Sequence, residues 1–247
     1  MQISKFLTFI TAIAFLVSFN SCKPDEGNAS ATIKLNPTWG NIPFSINPLY
    51  TNAVGDSLRF SKMKLYISEI KLIKDNGDKV PIKDIVLFNM TSDDPILLST
   101  TSSKFQGGDY SGICFNFGIT EAQNNTVPSS VSCPNPLCSD YDMYWGQTLK
   151  YTYVKIEGNV KTNGSNIFNV FIYHVGLFEN FRTFCLQKPL VISDNTNNEL
   201  IINLDLKELF DGSDPLNMTT DNATQTTDNY PLASRFANKI TTAFSIE

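Results

Sequence analysis

The sequence predicts an all-β fold: an antiparallel β-sandwich with long loops and a short C-terminal helix. Three observations carry that expectation. Alternating and β-branched segments, such as residues 64–73 and 110–119, dominate the chain. Asn76-Gly77 and Asn163-Gly164 punctuate them as hairpin turns, because Asn-Gly accepts the positive φ angles that tight hairpins require. Helical spacing is confined to the C-terminal end. No strand–helix–strand alternation appears, which argues against a parallel α/β sheet.

Taken in order, residues 64–73 read as a strand, and Asp75-Asn76-Gly77-Asp78 turns the chain into a second over 80–88. Residues 110–119 form another, with Ile113, Phe115, Phe117 and Ile119 on one face. Residues 149–160 and 167–175 flank Asn163-Gly164 as a hairpin, and 182–192 and 199–206 add two more strands. Residues 206–210 allow one helical turn. Leu232, Phe236 and Ile240 recur every fourth residue behind Pro231, the mark of a short amphipathic helix. Residues 211–229 are rich in Asp, Asn and Thr and read as a long surface loop. No internal repeat or Pro/Gly-rich boundary divides residues 32–247, which are expected to form one domain.

The first 21 residues stand outside that domain. Lys5 supplies a positive charge, and the apolar run over 6–19 is shorter than the roughly 20 residues of a membrane span. Ser21-Cys22 follows, a small residue directly before a cysteine. It resembles the lipobox of a bacterial lipoprotein in the loose form common in Bacteroidota. The resemblance implies a lipoprotein signal peptide over 1–21, a diacylglycerol on Cys22 and a lipidated tether over 22–31. An outer membrane lipoprotein follows from it, at the periplasmic or the cell-surface face. Lys23-Pro24-Asp25-Glu26 resembles the export signal of surface-exposed Bacteroidota lipoproteins, and reads equally as a solvated linker.

Composition narrows the function classes. With 19 basic against 24 acidic residues the net charge is −5, which disfavours a nucleic-acid partner. Eighteen Phe, nine Tyr and two Trp give ample area for a core. The single histidine, His174, excludes multi-histidine metal sites within one chain. Beyond Cys22, four cysteines remain, an even number in an exported chain. Cys133-Pro134-Asn135-Pro136-Leu137-Cys138 sits in an evident loop, so Cys133 is paired with Cys138 and Cys114 with Cys185. Closing the short loop contributes about 2 kcal/mol on the chain-entropy model. No histidine or second cysteine pair completes a zinc site there.

Three segments carry a family resemblance. The first is Asp142-Met143-Tyr144-Trp145-Gly146-Gln147, followed by residues 150–158 and by Phe171-Ile172-Tyr173-His174-Val175-Gly176. The second is the strand at 64–72, with its Tyr66-Ile67-Ser68, and the third is the strand at 110–119, with its Tyr110, Ile113, Phe115, Phe117 and Gly118-Ile119. Together they resemble the MbnP-like family, exported β-rich proteins related to the copper-binding partner of methanobactin systems. The resemblance implies a single β-rich domain and a mononuclear copper site. It also implies a tryptophan oxidised to kynurenine by a di-haem peroxidase-like partner, and a genomic setting beside a TonB-dependent receptor. Carried onto this chain, Trp145 is the candidate modified tryptophan, Met143 its neighbour, and His174 the one imidazole ligand. Two departures stand out. Gln147 occupies the place of a second tryptophan, and Thr38-Trp39-Gly40-Asn41-Ile42-Pro43 lacks the histidine many relatives carry there.

The residues themselves leave alternatives open. Cu(I) favours thioether and imidazole, so Met143 and His174 are admissible ligands. Equally, His174 reads as a partly buried histidine bonded to a backbone carbonyl, and Trp145 as a core or rim aromatic. Asp140 and Asp142 read as loop acids or ligands. A two-residue hairpin at Asn163-Gly164 would put His174 opposite Tyr153. The function expected is a lipid-anchored, non-catalytic binding protein, accessory to metal handling or uptake. The alternative is a cell-surface glycan- or protein-binding lipoprotein whose metal site is lost, with Trp39 and Trp145 as stacking rings. No Gly-x-Ser-x-Gly elbow, His-Glu-x-x-His or Gly-rich nucleotide loop points to an enzyme.

Overall fold

The computed structural model describes residues 27–91 and 99–247. The expected signal peptide, Cys22 and the first half of the tether, residues 22–26, lie outside the described residues. In chain order the strands are β1 (Ser30–Trp39), β2 (Ile42–Pro43), β3 (Leu49–Thr51), β4 (Ser57–Ile73), β5 (Lys79–Thr91), β6 (Ser99–Thr101) and β7 (Gly108–Phe117). A one-turn helix, α1 (Glu121–Asn124), opens a long loop that ends at β8 (Thr152–Lys161). Then come β9 (Asn169–Gly176), β10 (Arg182–Ile192), β11 (Asn197–Asp205), α2 (Leu206–Asp211), β12 (Ala223–Thr224), α3 (Tyr230–Ala243) and β13 (Phe244–Ile246).

Two sheets form the sandwich. The larger runs β10-β7-β4-β8-β9-β12, and the smaller β13-β11-β1-β2. Strand β4 is the spine of the larger sheet. Its 17 residues pair with β5 along one edge, and with β8 and then β7 along the other. The Asn76-Gly77 turn joins β4 to β5 as its sequence requires: Gly77 sits at φ +88°, and Lys74 N–H donates to the Asp78 carbonyl at 2.9 Å.

The aromatic residues close the core. Phe60, Phe171, Phe210 and Trp39 meet edge-to-face or tilted, with centroids 5.3 to 5.9 Å apart. Tyr173 of β9 stacks on Phe236 of α3 at 4.9 Å. Such pairs add about 0.5–1.5 kcal/mol each beyond their burial. The periodic residues Leu232, Phe236 and Ile240 are all buried, so the C-terminal helix forms to cover the sandwich.

The mostly-β sandwich matches the expectation, and three details correct it. The sheets are mixed: β1 runs parallel to β11, and β12 parallel to β9. Hairpin turns dictate antiparallel neighbours only for strands adjacent in sequence, and β1 and β11 are not. Residues 211–229 are more than a surface loop, because Leu216, Met218 and Thr224 are buried and Tyr173 Oη donates to the Asp221 carbonyl. Strand β1 begins at Ser30, and Ala31 is fully buried, so the domain starts inside the segment read as tether. Both disulfides join the expected partners. Cys114 and Cys185 face each other across β7 and β10, and Cys133 is bonded to Cys138. Among the described residues, no helix is long and apolar enough to cross a membrane.

Candidate functional site around Trp145 and His174

The site lies on the outer face of the larger sheet, under the loop that joins α1 to β8. Four side chains form a row across that face. Asn89 of β5 is opposite Lys64 of β4, which is opposite Lys155 of β8, which is opposite His174 of β9. A second row, Lys62–Glu157–Ile172, runs beside it.

The loop is held down by its main-chain carbonyls. Tyr66 Oη donates to the Pro136 carbonyl and Tyr151 Oη to the Leu137 carbonyl, each at 2.7 Å. Lys64 Nζ donates to the Tyr141 carbonyl at 2.7 Å, and Lys155 Nζ donates to the Asp142 carbonyl and, at 3.0 Å, to its Oδ2. Both lysines are buried. Burial and then the neighbouring Lys62 ammonium hold the Lys64 ammonium below lysine's ordinary range. Burial opposes ionisation of Asp142, yet the hydrogen bond and charge of Lys155 leave its carboxyl below the usual range.

Trp145 is presented on a small hairpin. Thr152 N–H donates to the Met143 carbonyl, Tyr144 bridges Tyr151, and Trp145 N–H donates to the Lys150 carbonyl at 2.7 Å. The turn needs a glycine after the tryptophan, since Gly146 has φ +100°. Met143 packs into the core, and Trp145 lies half-buried over the sheet. Its ring centroid lies 5.5 Å from that of His174, and Lys155 Nζ is 6.0 Å from the indole.

His174 is oriented by a carboxylate. Its Nε2 is 2.7 Å from Glu157 Oε1, which also accepts from Lys62 Nζ at 3.0 Å. An ionised carboxylate only accepts, so Nε2 carries the proton and donates. The His174 bond and the Lys62 ammonium outweigh burial and hold the Glu157 carboxyl at about 2. His174 Nδ1 is buried and has no hydrogen-bond partner among the described residues. A histidine fixed by a carboxylate through one nitrogen, with the other left over, is the arrangement a metal ligand requires.

The structure therefore brings Trp145 and His174 together and sends Met143 elsewhere, into the buried core. The expected carbonyl partner of His174 is instead the Glu157 carboxylate. The expected pairing of His174 with Tyr153 is also corrected: its register partner is Lys155. The Asn163 turn is wider than two residues, because Asn163 N–H donates to Asp56 Oδ1 and its amide to the Val54 carbonyl, tying it to the β3–β4 turn. Asp140 stays on the surface, and Asp142 is a lysine partner rather than a free ligand. Trp39 is only 6% exposed, and its Nε1 donates to the Thr51 carbonyl at 3.3 Å. It is unavailable for stacking on a sugar. Glu157, Lys62, Lys64 and Lys155 were not singled out by the sequence; correct strand register is the signal that finds them. Among the described residues, no three His, Cys, Asp or Glu side chains converge as a metal site.

Comparisons with known proteins agree with this architecture. A search of curated proteins by sequence found no match. The fold is similar to that of MbnP from Methylosinus trichosporium, with a TM-score of 0.54 and 15% identity, covering 88% of this chain and 97% of that one. At that identity the likeness speaks for the fold alone. The family model for MbnP matches residues 28–229, from the first turn of the domain to the residue before α3. The chain belongs to the MbnP family.

Proposed function

We propose that this chain is an exported, lipid-anchored and non-catalytic binding protein, accessory to metal handling, with its centre at Trp145 and His174. The observation that carries the reading is the orphaned Nδ1 of His174, oriented by Glu157 and set beside the indole of Trp145. Membrane attachment through Cys22, at the outer membrane, completes the proposal.

The donor set of the unmodified chain does not fit tight copper binding. Three or four well-held ligands are needed. His174 Nδ1 is one, Glu157 is engaged by His174 and Lys62, and Met143 is packed in the core. Oxidation of Trp145 to kynurenine, which the family resemblance implies, would add an aryl amine and a carbonyl beside Nδ1. In this reading a di-haem peroxidase-like partner sets the metal capacity of the site, and a TonB-dependent receptor is its neighbour in uptake.

Titrating Cu(I) and Cu(II) into unmodified protein, beside His174→Ala, tests the location. Weak binding that disappears in the variant is expected. Tight stoichiometric binding that survives His174→Ala would place the metal elsewhere. The alternative is a surface module for a glycan or protein ligand. Burial of Trp39 removes one stacking ring from its glycan form, whereas its protein form keeps an exposed sheet face.

A further inference from the structure

We infer that the outer face of the larger sheet, next to Trp145, docks a soluble protein with acidic groups around an apolar centre. This extends the protein-binding alternative above to a named surface and partner chemistry, and it does not depend on copper.

The surface is built by register. Leu49 of β3, Arg59 of β4, Asn159 of β8 and Val170 of β9 form one row on the outer face. Ile172 then joins this row to His174 along β9. Leu49 is 53% exposed, Phe168 40% and Val170 56%, a strip no loop of the described residues covers. Phe168, Val170 and Ile172 follow at every second residue as one apolar run, with Leu49 at the far end of the row beyond Asn159 and Arg59. Such a run is unlike the single exposed residues common on protein surfaces.

The charges at its border are positive. The Arg59 guanidinium lies 5.6 Å from the Phe168 ring centroid, and Lys161 Nζ lies 5.8 Å from it. Lys62, next toward the site, is paired with Glu157 and adds no free charge. The acid on this stretch, Glu157, is already shared between Lys62 and His174. On a chain of net charge −5, a cationic border to an apolar strip selects an acidic partner by charge complementarity.

Orientation argues for a soluble protein rather than a lipid surface. Strand β4 carries Arg59 near one end and Ile73 at the other, 17 residues spanning on the order of 50 Å. The first described residues lie at the Ile73 end: Lys74 Nζ bonds Gln106 Oε1 at 3.0 Å, and Ala29 pairs with Phe105. A tether leaving there carries the strip away from whatever it is anchored to.

The test places p-benzoylphenylalanine at Val170 of the full-length chain in its native envelope. A control chain carries it at Val191, which is 78% exposed near the tether end. The expected result is a crosslink from position 170 alone to one soluble acidic protein. That protein, purified, should bind the wild-type chain about tenfold more tightly than Arg59→Glu/Lys161→Glu, with the difference shrinking as salt rises. Urea unfolding of the double variant and a Val170→Thr variant separates loss of binding from loss of fold. Four results would overturn the proposal. They are crosslinks to lipid with binding to phosphatidylglycerol vesicles, crosslinks to a second copy of this chain, equal or absent crosslinking at both positions, and a partner indifferent to the folded double variant. None of these outcomes bears on Trp145 and His174 as a metal centre, so that reading fails or stands separately.

Discussion

Replacing Glu157 with glutamine removes the charge that orients His174 and pairs with Lys62. A carboxyl held at about 2 rather than its ordinary 4.5 corresponds, at about 1.4 kcal/mol per pH unit, to about 3 kcal/mol of stability. Water reaches 24% of the side chain, so screening reduces the expected value to about 2 kcal/mol. The sign follows from the depressed value. The stabilisation is fully present above pH 4.5, where the carboxyl is ionised in both folded and unfolded chains. It is lost as pH falls from 4.5 through about 2. Urea unfolding of wild type and Glu157→Gln at intervals from pH 6 to pH 2.5 measures it. The two chains should differ by about 2 kcal/mol at pH 6 and converge as the pH approaches 2. A difference below about 0.5 kcal/mol at pH 6, or one independent of pH, would refute the assignment of Glu157 as an ionised partner of His174 and Lys62.

Other outcomes follow from the covalent framework. Removing Cys114–Cys185, which closes 71 residues, should cost about 4 kcal/mol on the chain-entropy model, against about 2 for Cys133–Cys138, which closes five. Chemical denaturation of the two double-serine variants orders them, and the reverse order would contradict the model. Labelling with a fatty-acid analogue should be lost in Cys22→Ala, and labelling that persists would remove Cys22 as the anchor. Phe236→Ala, which unstacks Tyr173 and opens the core beneath α3, should cost about 3–5 kcal/mol by thermal or urea unfolding.

What the sequence made legible was periodicity and turn chemistry. Strand β10 falls on 182–192 as expected, and the Asn76-Gly77 hairpin and the C-terminal helix form where their residues direct. The face of His174 was legible too, because a register slip of two residues leaves every side chain on its own side of the sheet. Its partners were not. With a tight turn at Asn163-Gly164, Tyr153 stands opposite His174. The actual turn is widened by Asp56 and Val54, residues more than a hundred positions away, and brings Lys155 opposite and Glu157 within reach. The parallel pairing of β1 with β11 is likewise set by the packing of distant segments, and no local residue encodes it. Burial of Leu216 and Met218 in a polar-looking loop has the same origin. For the site, the family pattern led to Trp145 and His174, and these two do meet. Proximity in sequence suggested Met143, and its side chain packs into the core instead.

In the function proposed, one imidazole leaves the copper site incomplete until Trp145 is oxidised. The most direct test is to isolate the protein from its native envelope and measure its intact mass and copper content, with His174→Ala prepared in parallel. Kynurenine at position 145 with bound copper, and copper lost in His174→Ala, is the predicted result. Unmodified tryptophan with stoichiometric copper, or copper retained without His174, would contradict it.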